Sequence, residues 1–228
     1  MPATHFSPKL FAFLRELADN NRREWFQANK QRYEEVLLEP ALDFIEDFRP
    51  LLHAISPHFL ADARPVGGSL FRIYRDVRFS KDKTPYKTHV GINFRHADAD
   101  GPHAPGFYLH LEPRRVFAGV GIWHPPRESL EPIRRALVAD PERWRAATAN
   151  GRFAERFELT GERLKRAPRG YPPDHPLIDD LRRKDFTAFA TLTQREVTAP
   201  DLPRRFQEIC ADGAPLVRFV CEATGLPY

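Results

Sequence analysis

The spacing of apolar residues changes twice along the chain, and each change marks a change of architecture. Up to Ile55 the apolar positions recur three and four residues apart, as they do along the buried stripe of a helix. Ser7 and Pro8 read as N-cap and first helical position, with Leu10, Phe11, Phe13, Leu14 and Leu17 as the stripe that ends at Asp19-Asn20. A second helix is predicted from Asn21, carrying Trp25, Phe26, Tyr33, Val36 and Leu37. A third, with Pro40 in its first turn, carries Leu42, Phe44, Ile45, Phe48, Leu51, Leu52 and Ile55. After Pro65-Val66-Gly67-Gly68 the period becomes two, the signature of strands with one buried face. Four strands are predicted, near 69–79, 87–95, 106–112 and 115–123, joined as an antiparallel meander. From Pro125 the period is helical again, with helices near 127–139, 141–149 (Asp140 as cap, Asn150-Gly151 as stop), 178–183, 201–211 and 214–223. Phe186 to Leu192 can be read as one added strand. The prediction is a single α+β domain over 1–228: helical over 1–65, a central antiparallel sheet over 66–124, and mostly helical over 125–228, with the helices packed on one face of the sheet.

Strand parity sorts the side chains of that sheet. One face collects Phe71, Ile73, Val77 and Phe79, then Thr88, Val90, Ile92 and Phe94, then Phe107, Leu109 and Leu111, then Val116, Ala118, Val120 and Ile122. It is the expected core face. The other collects Arg72, Tyr74, Asp76, Arg78, Lys87, His89, Asn93, Arg95, Tyr108, His110 and Glu112, with Gly91, Gly119 and Gly121 removing bulk. A polar face is what any half-solvated antiparallel sheet presents. Two histidines, two tyrosines, Arg/Asp pairs and glycines are an unusual filling for one, and glycine in a strand often marks a closely approaching ligand or backbone. Arg75 breaks the parity on the apolar side, which predicts a buried partner or a bulge.

Charge sharpens the same place. The 228-residue chain has a formal net charge of +4. Arg72 to Lys87 holds six cations and two anions, which leaves 29 of the 35 cations and 29 of the 31 anions to cancel elsewhere. One short stretch therefore carries the whole excess, and it will attract phosphate, carboxylate or a nucleic-acid backbone. Composition is that of an ordinary globular protein, 42% hydrophobic and 29% charged. No run is long enough for a membrane helix, and MPATHFSPKLF has no signal-peptide pattern, so a cytoplasmic protein is expected. Cys210 and Cys221 read as core thiols, with no Cys/His set for zinc.

The string Arg72-x-x-Arg75-Asp76-x-Arg78-Phe79-x-x-x-Lys83-x-x-Tyr86-Lys87 resembles the motif of a bacterial family of conserved hypothetical proteins, the domain of unknown function numbered 2461. The resemblance extends to the Trp25-Phe26 helix, to Gly119-x-Gly121-x-Trp123 and to Lys184-Asp185-Phe186. It implies that Arg72, Arg75, Asp76, Arg78, Lys83 and Tyr86 act as a unit. It implies no activity, and whether the unit binds, catalyses or holds the fold stays open.

Three readings follow from the residues. The first is a site for a small phosphate- or carboxylate-bearing ligand, because guanidinium groups match such anions in bidentate fashion. Its ligand residues would be Arg72, Tyr74, Arg78, Lys83, Tyr86, Lys87 and Tyr108, with His89, His110, Glu112 and Asp76 as acid–base candidates should it catalyse. The second is a nucleic-acid or acidic-partner module along Lys81, Lys83 and Lys87. The third is architectural, with Arg75 and Asp76 in an ion-pair lattice. No nucleophile elbow, phosphate-binding loop or dinucleotide fingerprint is present, since Gly119-Val120-Gly121 lacks the third glycine and following helix. The acidic stretch from His96 to His103 lacks the closing Glu of a calcium loop, so neither a metal nor a cofactor is expected.

Overall fold

The computed structural model describes residues 4–99, 101, 103–149 and 151–228. It is an α+β fold. Helices α1 (Pro8–Asp19), α2 (Arg23–Ala28), α3 (Lys30–Tyr33), a π-helical turn (Glu34–Leu38) and α4 (Glu39–Ile55) lead into strands β1 (Val90–Arg95), β2 (Gly106–Glu112) and β3 (Arg115–Ile122). Then come α5 (Arg127–Ala139), α6 (Pro141–Thr148), α7 (Gly151–Arg156), β4 (Glu158–Thr160), α8 (Ile178–Leu181), β5 (Phe186–Leu192), α9 (Gln194–Val197) and α10 (Leu202–Ala223). The five strands form one antiparallel sheet in the order β1-β2-β3-β5-β4.

The apolar parity of the central strands is obeyed. Val90, Ile92, Phe94, Phe107, Leu109, Leu111, Val116, Ala118, Val120 and Ile122 are all buried. Against them pack α10 and α4. Phe206 of α10 lies 4.9 Å from Phe48 of α4 and 5.9 Å from Phe94 of β1, so one aromatic cluster ties both helices to the sheet. Gly213 lets α10 approach β3 closely, since a Cβ there would stand 2.7 Å from Val120 Cγ1.

Several boundaries differ from the sequence expectation. The two C-terminal helices are one, α10, with Pro215 inside it. The lost hydrogen bond at Pro215 is outweighed by an apolar stripe that continues through Leu216, Val217 and Val220. The second helix begins at Arg23, not Asn21. Asn21 instead brackets Tyr86, accepting its N–H at 3.0 Å and donating to its carbonyl at 2.9 Å. Ser7 sits at the start of α1 but makes no side-chain cap, whereas Asp140 caps α6 by accepting the Arg143 N–H at 2.9 Å. Asn150, the expected stop, lies outside the described residues, and Gly151 opens α7. Strand β4 is too short to leave a periodic signal.

The largest correction concerns 69–79, which is not a regular strand. It touches β1 and its approach through two isolated bridges, Leu70 to Ile92 and Tyr74 to Tyr86. Phe79, assigned by parity to the core, is 95% exposed.

Candidate functional site

The interruption of that edge has a definite geometry. Asn93 N–H donates to Ser69 O and Phe71 N–H to Gly91 O, then Lys87 N–H donates to Ile73 O and Arg75 N–H to Pro85 O, at 2.8 to 2.9 Å. Between the two bridges the inner chain has five residues, 87 to 91, while the outer has three, 71 to 73. Two extra residues are therefore accommodated opposite Arg72, around Thr88 and His89. Such a bulge bends the chain and re-aims side chains. Here it brings the His89 ring onto His110, centroids 4.7 Å apart, and places the Lys87 ammonium 5.3 Å from the Phe71 ring centroid.

Beyond Arg75 the motif folds on itself. Arg75 does not enter the core; its side chain is 26% exposed, and Nη1 donates to Asp82 at 2.6 Å, to the Thr84 carbonyl at 3.1 Å and to the Thr84 hydroxyl. The Thr84 N–H and the Arg75 guanidinium hold the Asp82 carboxyl down at about 2. Arg78 clasps Asp76 through its guanidinium and backbone N–H, which lowers that carboxyl to about 2 as well. Lys83 Nζ donates to Val77 O at 2.9 Å. Tyr86 is buried and stacks on Phe26 at 4.1 Å, with Tyr74 5.5 Å from it. Arg75, Asp76, Arg78, Lys83 and Tyr86 thus spend their polar groups or rings on the loop and its anchorage to α2.

On the polar face of the sheet, the protein's own rings occupy the space left by the glycines. Phe189, Phe117, His110 and His89 stack in a row at 4.5, 4.7 and 4.7 Å. A Cβ at Gly91 would stand 2.5 Å from the Tyr108 hydroxyl and 3.0 Å from Phe71, and one at Gly119 would stand 3.3 Å from Phe189. Gly121 serves the backbone, with φ +108 and the Phe186 carbonyl where a Cβ would go. The expected hollow over β2 and β3 is filled.

The protonation of that row follows from its bonds. The Glu112 carboxylate accepts from His110 Nε2 at 3.3 Å, so His110 Nδ1 carries the lone pair and accepts the Tyr108 hydroxyl at 3.1 Å. Burial, then the Arg115 charge, lowers His110 to about 4; burial, then His110 and Lys87, lowers His89 to about 4. At neutral pH the His110–Glu112 contact is therefore a hydrogen bond from a neutral ring, not an ion pair. Burial also pushes the Tyr108 hydroxyl up. Lys87 is lowered by burial first and by the Arg72 charge second.

Beside this layer, at the Asn93–Arg95 end of β1, lies a cleft of about 290 Å³ walled by Phe71, Arg72, Asn93 and Arg95 and roofed by the Gly67–Ser69 turn. Arg95 donates through Nη1 to the carbonyls of His96 (3.2 Å) and Ala99 (2.9 Å). Asp62, also on the wall, is clamped by Arg64. Among the described residues, none of Arg72, Lys87 and Arg95 has a carboxylate within 4.0 Å, in contrast to Arg75 and Arg78.

Of the sequence-predicted set, the fold gathers Arg72, Lys87, His89, Tyr108, His110 and Glu112 along one face. It sends Tyr74, Arg78, Lys83, Tyr86 and Asp76 to the loop. Sequence reasoning gave no role to Asn93 or Arg95, although parity had placed both on this face. It also passed over His124 and Asp185, which meet where β3 ends and β5 begins, at 2.7 Å. Their signal was present in Gly119-x-Gly121-x-Trp123 and Lys184-Asp185-Phe186, two segments distant in sequence. A third group, His58, His96 and Asp98, brings three ligand-type atoms within 4.8 Å. His96 is not available to a metal, because Nδ1 accepts the Asp98 N–H (3.1 Å) and Nε2 donates to the Pro227 carbonyl (2.8 Å).

A five-stranded antiparallel sheet, helices on its apolar face, and a self-folded Arg/Asp loop along a bulged edge define an α+β protein with one polar, cation-bordered sheet face. The family model described as conserved hypothetical protein (DUF2461) matches residues 9–219, and the chain belongs to that family. No curated protein matches the chain. No helix among the described residues is long and apolar enough to cross a membrane.

Proposed function

We propose that the cleft beside Arg72 binds a small ligand bearing a phosphate or carboxylate group. The observation that carries this reading is the unequal treatment of the cations. In the loop Arg75 and Arg78 are paired with Asp82 and Asp76 and Lys83 is held by the Val77 carbonyl, while Arg72 and Arg95, which line the cleft, and Lys87 have no carboxylate of their own among the described residues. Two guanidiniums and the Asn93 amide offer forked donors to an anion, and the cleft volume suits a small metabolite. His89 does not line the cleft, so acid–base chemistry there would fall to it only for a ligand that reaches past Arg72. His110 has both ring nitrogens engaged, which suits it to holding Tyr108 and Glu112 in place.

Titration of inorganic phosphate and of citrate, followed by calorimetry, tests the reading. Removing a charged hydrogen-bond donor is worth roughly 1.5 to 3 kcal/mol, so Arg72→Met should weaken binding about 10- to 150-fold. Arg78→Met should leave it within about twofold, because Arg78 is already satisfied by Asp76. Absence of binding to the wild-type chain, or equal losses in both variants, would overturn the proposal.

A second reading, nucleic acid along the loop, is favoured by one observation. Phe79 is 95% exposed with the Arg78 guanidinium 5.8 Å from its ring centroid, and the cations Lys81 and Lys83 follow it in the loop. An exposed ring flanked by cations is a stacking platform for single strands. That reading requires oligonucleotide binding that weakens steeply with salt and with Phe79→Ala.

A further inference from the structure

We infer that His124, oriented by Asp185, is a general base that takes a proton from the edge of a planar, aromatic or heteroaromatic ligand resting against Trp123. The centre is built at the end of β3. Asp185 is 1% exposed, and its Oδ1 accepts both the backbone N–H and the ring Nδ1–H of His124, each at 2.7 Å. Its Oδ2 accepts the Glu162 N–H at 2.8 Å. Gly161, at φ +106, makes room for this carboxylate, since a Cβ there would stand 2.4 Å from Asp185 Cβ.

Chelation of one residue's backbone and ring by a single oxygen requires an unusual backbone. His124 has φ 47 and is the only non-glycine residue with positive φ among the described residues. Such conformations persist only where their surroundings enforce them, and they concentrate at functional sites. The consequence for the ring is definite. A carboxylate oxygen can only accept, so Nδ1 carries a proton, and in the neutral ring the lone pair is on Nε2. No described residue claims that lone pair, and the side chain is 45% exposed. A base whose second nitrogen is fixed by a buried carboxylate is the arrangement that proton abstraction needs.

The geometry also sets the class of ligand. The Trp123 indole lies 4.1 Å from the imidazole centroid, with the two planes 18° apart, and Trp123 is 53% exposed. A flat molecule that meets Nε2 edge-on lies in the imidazole plane, and is therefore within about 18° of parallel to the half-exposed indole. Stacking and proton transfer are compatible in one pose. His103 closes one side, 5.5 Å from Trp123 and 6.4 Å from His124, with its Nδ1–H donated to the Trp123 carbonyl. Glu162, paired with Lys184 at 2.8 Å, supplies the other charged groups nearby.

The reaction of 5-nitrobenzisoxazole tests the inference with a flat probe that reports proton abstraction. The C3 proton moves to Nε2, the C–H electron pair becomes part of a nitrile, and the N–O bond breaks with its electrons on oxygen, releasing a coloured phenolate. Wild-type protein should give saturable turnover above buffer and above free imidazole at equal concentration. A positioned base contributes about 100-fold or more, so His124→Gln should fall by about that factor toward the buffer rate, with an unchanged near-ultraviolet spectrum showing that it folds. Trp123→Ala should raise KM severalfold with a smaller change in kcat. His53→Gln, on the outer surface of α4, should match wild type. Wild-type protein no faster than free imidazole, or His124→Gln as fast as wild type, would overturn the inference. Should His124→Gln fail to fold, nitrogen-15 spectra of the wild-type ring decide: a bare Nε2 that shifts on adding the unreactive 5-nitroindazole supports it, and a protonated or unresponsive Nε2 refutes it.

Discussion

Gly91→Ala tests whether the polar face is filled as described. The new methyl would stand 2.5 Å from the Tyr108 hydroxyl and 3.0 Å from Phe71 Cδ2. Tyr108 cannot simply swing aside, because its ring is flanked by Phe71 at 6.1 Å and Phe117 at 5.9 Å, and its hydroxyl is bonded to His110. Overpacking of this kind costs roughly 1 to 3 kcal/mol, and loss of the hydroxyl bond adds about 0.5 to 1.5 kcal/mol. Relief of glycine's backbone entropy returns about 0.5 to 1 kcal/mol. The net expectation is a destabilisation of about 0.5 to 4 kcal/mol. Tyr108→Phe removes the colliding oxygen, so Gly91→Ala should be milder in that background by about 1 kcal/mol or more. Urea unfolding of the wild type, the two single variants and the double variant, at constant m, measures the coupling. Strict additivity within about 0.5 kcal/mol would mean that Gly91 and Tyr108 are not in contact, and the filled-face description would be wrong.

Other expectations are as direct. His89 and His110 have folded pKa values lowered from 6.5 to about 4. The unfolded chain therefore binds protons that the folded one refuses between those values, and stability should fall as pH drops from 6.5 toward 4; a urea midpoint flat over that range would contradict the neutral ring row. Asp82, lowered from 3.8 to about 2 by Thr84 and Arg75, contributes stability that is complete above pH 3.8 and lost as pH falls through about 2. Hydrogen exchange at the Thr84 amide should accelerate across that window in wild type and be fast throughout in Asp82→Asn. Gly213→Val should cost about 1 to 3 kcal/mol of stability and so lower the melting temperature, since Val120 Cγ1 lies 2.7 Å from the first added carbon; an unchanged melt would mean that α10 does not approach β3 so closely.

Alternation made the inner faces of β1, β2 and β3 legible, because those strands are paired on both sides or covered by helices and keep their register throughout. It failed over 69–79 for a physical reason. The edge segment has only one neighbour; parity still buries Ile73, but after Arg75 the chain leaves that neighbour and turns into the 76–83 loop, so alternation extrapolated from Phe71 no longer applied by Phe79. The location of the excess charge was readable, but not its division into satisfied and unsatisfied cations. Asp76 and Arg78 are two residues apart and close on each other only because the chain turns after Arg75. The glycines of the polar face were visible, yet what fills them depends on rings from Phe71, Tyr108 and Phe189, three separate segments. His124 and Asp185 are 61 positions apart, and only β3–β5 pairing brings them together.

A crystal structure of the protein saturated with inorganic phosphate tests the anion site most directly. The account predicts a tetrahedral ion in the cleft, within hydrogen-bonding distance of the Arg72 guanidinium and of Asn93 or Arg95. An ion held instead by Arg78, Lys81 and Lys83, or an empty cleft at a concentration that saturates binding in solution, would contradict it.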